Sequence, residues 1–85
     1  MNELERLRRR LKYTAARRAK LEVEEYLRPV LEAADSLSER ELKLLLRFLQ
    51  LNDMDLWDML MGRRPVPRQH AEALSLIEKM RKSAL

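Results

Sequence analysis

Asp35-Ser36-Leu37-Ser38-Glu39-Arg40-Glu41-Leu42 punctuates this chain more clearly than any other stretch. Ser38 and Glu41 stand three apart and form a capping box, each side chain able to satisfy the other's exposed backbone N–H. Leu37 and Leu42 flank the box as a hydrophobic staple. A helix therefore starts at Ser38. It continues through Leu42, Leu45, Leu46 and Leu49 to about Leu51, and Leu44 and Phe48 widen its apolar face. That width predicts the centre of the core.

Towards the N-terminus, residues 20–34 read as a helix, with Val23, Tyr26, Leu27, Val30, Leu31 and Ala34 at helical spacing. Pro29 interrupts it, removing one hydrogen bond and crowding the Glu25 carbonyl. The apolar stripe runs through the proline, so a kink is expected and not an end. Residues 2–18 form a further helix with a narrow stripe of Leu4, Leu7, Leu11 and Ala15. No local signal marks a stop between these two helices, and one long rod remains open. Towards the C-terminus, Asn52 or Asp53 can cap a short helix over 53–61, and Gly62 suits the left-handed position just past its end. Pro65 and Pro67 stiffen the following loop. A last helix over 67–82 carries Ala73, Leu76, Ile77, Met80 and Ala84 on its stripe. The expected architecture is all-α: a compact five-helix bundle, one domain over residues 1–85.

Composition agrees. Eighty-five residues suffice for one small core, and 46% hydrophobic with 38% charged residues suits a folded, well-solvated chain. One glycine and three prolines are too few for a turn-rich β fold. No apolar run approaches the ~20 residues of a membrane helix. The N-terminus is Arg-rich, but Glu3 and Glu5 argue against a transit peptide. A cytoplasmic protein without membrane insertion is the simplest expectation.

Catalytic chemistry finds little support. The chain has no cysteine and a single histidine, so no Cys–His pair and no histidine-rich metal site can form. His70 reads as a surface residue. Asp53, Asp55 and Asp58 lack the glycine and distal glutamate of a calcium loop, and capping accounts for the first two. No catalytic residue and no metal ligand is assigned. Trp57 and the methionines read first as core, although an arginine-rich face beside aromatic and methionine groups also suits a protein-binding surface.

Charge is distributed unevenly. From Arg6 to Lys20 there are eight basic residues and no acid, whereas from Glu22 to Glu41 there are seven acids and two arginines. The sign changes within Arg17-Arg18-Ala19-Lys20-Leu21-Glu22. If this stretch is helical, Arg18 and Glu22 lie one turn apart on one face. The net charge of +4 keeps an anionic partner in view. A basic nucleic-acid-binding adaptor using Arg6 to Lys12 is one alternative, and an adaptor for an acidic protein is another. Against specific nucleic-acid reading, the helix that would enter a groove carries Asp53, Asp55 and Asp58 and no arginine.

Taken in order, the motifs resemble those of the SdhE-type succinate dehydrogenase assembly factors, also called FAD assembly factors. They are Arg10-Leu11-Lys12-Tyr13, Arg17-Arg18-Ala19-Lys20-Leu21-Glu22, Ser36-Leu37-Ser38-Glu39, Asp53-Met54-Asp55-Leu56-Trp57 and Gly62 with Pro65. The resemblance implies a five-helix chaperone-like protein, not an enzyme. Its implied partner is the flavoprotein subunit of succinate dehydrogenase or fumarate reductase, whose histidine becomes covalently joined to FAD. No cofactor is expected to bind this chain tightly; the FAD belongs to the client. The implied partner-binding residues are Tyr13, Arg17, Arg18, Ala19, Lys20 and Glu22, on a protein that is a monomer when free. Two positions depart from the family pattern. Ala19 replaces a glycine, and an alanine in the left-handed region costs ~1–2 kcal/mol. Met59 stands where a tryptophan is usual, with Trp57 two residues upstream.

Overall fold

The computed structural model describes residues 2–17 and 21–84, and among them it contains helices and no strand. Helix α1 spans Glu3–Ala16, α2 Leu21–Tyr26, α3 Arg28–Ala33, α4 Glu39–Leu49, α5 Asp53–Leu60 and α6 Arg68–Ala84; a 3₁₀ turn, Ala34–Ser36, follows α3. The radius of gyration, 12.0 Å, is what a close-packed chain of this length should have, about 12 Å.

Helix α4 is the central element, as its apolar width predicts. Glu41 N–H donates to Ser38 Oγ at 3.2 Å, and Ser38 N–H donates to Glu41 Oε1 at 2.9 Å, closing the capping box. Leu37 and Leu42 are both buried. Leu42, Leu45, Leu46, Phe48 and Leu49 then fill the interior. Helices α1 and α6 pack on α4, and α3 packs on both α1 and α6. Helix α1 contributes Leu7, Leu11 and Ala15, spaced by four so that they share one face. Asn2 caps it, accepting from the Glu5 N–H at 2.8 Å.

The expected helix over 20–34 is realised as two six-residue helices that meet at Leu27 (φ −89°, ψ 1°). Pro29 falls in the first turn of α3, where its missing N–H leaves no bond broken. The bend thus precedes the proline, and Leu27 joins both helices. Its N–H donates to Val23 O at 3.1 Å, and its carbonyl accepts from Val30 at 2.9 Å and Leu31 at 3.3 Å. Val23, Leu27, Val30 and Ala34 are all fully buried, so the apolar stripe survives the kink.

Helix α5 is capped by Asn52, which accepts from the Asp55 N–H at 2.9 Å. It ends in a Schellman arrangement: Gly62 N–H donates to Met59 O and Arg63 N–H to Asp58 O, with Gly62 at φ +75°. Leu56, Met59 and Leu60 are buried. The core reading of the methionines holds for Met59 only among those of α5. An eight-residue helix turns one face inwards, and Met54 stands seven residues before Met61 on the other. Met54 is 65% exposed and Met61 37%. The acids of α5 are engaged within the chain: Asp58 pairs with Arg63 at 3.1 Å and Asp55 with Arg64.

His70 is a correction to the expected surface histidine. It is 4% exposed, with its ring centroid 5.3 Å from that of Phe48. The reason is its register: His70, Ala73 and Ile77 stand at spacings of three and four, so the imidazole opens the buried stripe of α6. Burial, with a smaller contribution from the Arg47 charge, lowers its pKa below the usual histidine value.

Candidate partner-binding surface

Two separate helices frame the point where the charge changes sign. Helix α1 stops at Ala16, short of the expected residue 18, and Arg17 leaves helical geometry at φ −106°, ψ 65°. Helix α2 opens at Leu21. One continuous rod is thereby excluded. Arg18, Ala19 and Lys20 lie outside the described residues, and so does the expected one-turn pairing of Arg18 with Glu22.

Tyr13, Arg17 and Glu22 are all exposed. The structure brings the first two together. The Arg17 N–H donates to the Tyr13 carbonyl at 3.1 Å, and its guanidinium carbon stands 4.9 Å from the centroid of the Tyr13 ring. A cation held over an aromatic face at this distance gains ~0.5–1 kcal/mol when exposed and keeps donors free for a partner. Tyr13 itself is 62% exposed.

Glu22 lies in the first turn of α2, where the helix dipole favours a carboxylate. No described cation is within ion-pair distance of it. Its neighbour Leu21 is 67% exposed and was missed as a surface candidate. The signal was present in the spacing, because Leu21 falls off the Val23, Leu27 and Val30 stripe. Together these residues present a cation on an aromatic ring, a carboxylate and an apolar side chain.

A helix of six residues does not hold itself. Helix α2 is kept in place by packing at its other end. Val23 is fully buried. Tyr26 meets Trp57 of α5 edge-on, with centroids 5.7 Å apart and planes at 90°. On Tyr26, the Arg81 guanidinium of α6 sits 3.6 Å from the ring centroid and donates to the Tyr26 carbonyl at 2.9 Å. Trp57 is half-buried and acts at this seam. Glu22 stands one turn before Tyr26 on α2, so the anchor at Tyr26 holds the helix that carries it.

The family described as flavinator of succinate dehydrogenase matches residues 9–84. The chain belongs to that family. Comparison with curated proteins and with solved structures returned no significant match. A flavinator assists the attachment of FAD to another protein, so the chemistry to be explained is recognition of that protein. Among the described residues no helix is long and apolar enough to cross a membrane.

Proposed function

We propose that the chain binds the flavoprotein subunit of succinate dehydrogenase or fumarate reductase and favours the conformation in which FAD becomes covalently attached. The observation that carries this reading is the Tyr13, Arg17, Leu21 and Glu22 surface: exposed, chemically mixed, and with neither Arg17 nor Glu22 in an ion pair among the described residues. The contact extends over Arg18, Ala19 and Lys20. Arg18 grips a client carboxylate with its planar fork, and Glu22 accepts from a client donor. Arg17 and Lys20 steer the approach.

In this reading the helper takes no part in bond making. It acts through differential affinity for one client state, and ~1.4 kcal/mol of preference enriches that state tenfold. FAD stays with the client, no cofactor is held tightly by this chain, and the free protein is a monomer. The test is co-expression of the client with wild type, Arg18→Ala or Glu22→Ala, scoring covalent flavin by fluorescence in a denaturing gel. Loss of signal is expected for both variants. Undiminished fluorescence would remove the two residues from the contact.

A further inference from the structure

Some of the described basic residues are engaged by carboxylates and others are not. Lys12, Arg28, Arg40, Arg63 and Arg64 are each paired with a carboxylate, Asp35, Glu25, Glu72, Asp58 and Asp55 in turn. Arg10 and Arg47 have no such partner among the described residues. These two come together, with Lys43, around one open cleft between α1 and α4, about 320 Å³ in volume. Lys43 reaches Glu39 only at 4.0 Å. The floor is apolar, with Leu7 at 9% and Leu46 at 6% exposure, and Gln50 completes the lining. No carboxylate lines it. Three like charges around an apolar floor repel one another, and an anionic occupant relieves that repulsion. The positive field is felt inside the fold, since the Arg47 charge helps to lower the pKa of His70.

The cleft is continuous with the surface at the end of α1. Arg6, Arg10, Tyr13 and Arg17 recur at spacings of four, three and four, so a stripe along α1 runs past the cleft to the Tyr13–Arg17 stack. We propose that the α1–α4 cleft is a docking groove for an acidic segment of the flavoprotein client, with client carboxylates on Arg10 and Arg47 and an apolar client side chain over Leu7 and Leu46. The identity of the client rests on the proposed function; the chemistry of the occupant rests on the cleft. A protein segment is favoured over nucleic acid by the apolar floor, which a phosphate backbone leaves uncovered.

The test measures binding of the purified full-length chain to the flavoprotein subunit across a salt series. Wild type is compared with the double variants R10E/R47E and R10K/R47K, and with Glu22→Ala, after thermal melting has shown each to be folded. R10E/R47E is expected to bind at least about tenfold more weakly, with a shallower salt dependence, and R10K/R47K to bind near the wild-type level. If R10E/R47E binds like wild type while Glu22→Ala is weakened, the groove is overturned and the proposed function stands. If wild type itself fails to bind the flavoprotein, both fall. Tighter binding to a 20-base-pair DNA duplex than to the flavoprotein, abolished in R10E/R47E, would reassign the cleft to nucleic acid and overturn the proposal.

Should R10E/R47E fail to fold, Gln50→Cys supplies the answer. The chain has no cysteine, so a photocrosslinker there is unique. Crosslinks to an Asp- and Glu-rich client peptide support the groove, and crosslinks to a peptide without acids overturn it.

Discussion

Helices α4 and α2 are both amphipathic, yet they are held in opposite ways. Helix α4 carries its own start signal and buries five side chains, and its two neighbours pack onto it. Helix α2 has six residues, buries Val23 alone, and depends on α5 and α6 to clasp its last residue, Tyr26. The first is built from local information and serves stability. The second exposes Leu21 and Glu22 because little of its surface is needed for packing. In α2 the exposed surface sits on an element tied down at one end and left open at the other.

The contrast is broken most directly in the core. Leu45 is fully buried at the middle of α4. Leu45→Ala should cost about 3 kcal/mol, within the usual range for an interior leucine. Denaturant unfolding followed by circular dichroism would measure it, and a cost under ~1 kcal/mol would deny α4 its central place. Tyr26→Ala should cost less, about 2 kcal/mol, because the ring is half-buried and one cation–π and one edge-on contact are lost. Its distinguishing result is local: hydrogen exchange should rise in α2 while α4 keeps its protection.

The same contrast explains what could be read from the sequence. The start of α4 was legible because a capping box is written within four residues. The stripe from Val23 to Ala34 was legible because periodicity survives a bend. The end of α1 was not. Ala16 and Arg17 are good helix formers, and no glycine or proline marks the break, so the stop at Arg17 reflects where the chain must turn to bring α2 and α3 onto the bundle. His70 was misplaced because its type outweighed its register. The Arg40–Glu72 bridge, 2.7 Å at its hydrogen bond, joins residues 32 apart and has no local trace. At the candidate surface, the charge reversal and Tyr13 were readable, whereas the stacking of Arg17 on that ring depends on α1 ending where it does.

His70 makes α4 and α6 sensitive to acid in a way that α2 is not. Its folded pKa lies below the unfolded value, so between the two the unfolded chain binds more protons. Stability therefore rises with pH through that window and is lost as pH falls below about 6.5. His70→Leu should remove the slope just below pH 6.5, measured as the melting temperature between pH 5 and 7.5. Carboxylates that titrate lower keep their own slopes in both proteins. Glu72, whose pKa is lowered by its hydrogen bond to Arg40, is among them: its contribution is present above the unfolded pKa and lost as pH falls through the folded one. An unchanged profile in His70→Leu would mean the imidazole is accommodated when charged.

Ser38→Ala removes the side-chain half of the capping box and should cost about 1 kcal/mol. The smallest stability effect belongs to the surface end of α2, and it bears most on function. Arg17→Ala and Glu22→Ala remove exposed groups, one stacked on a ring that is itself exposed and one with no described cation partner, so the first should cost at most about 1 kcal/mol and the second at most about 0.5 kcal/mol. If the surface acts by recognition, both variants should keep the wild-type melting curve and weaken flavoprotein binding. Equal losses of stability and binding would instead make Arg17 and Glu22 part of the scaffold. That outcome would erase the distinction between an element that holds the fold and one that is held out to a partner.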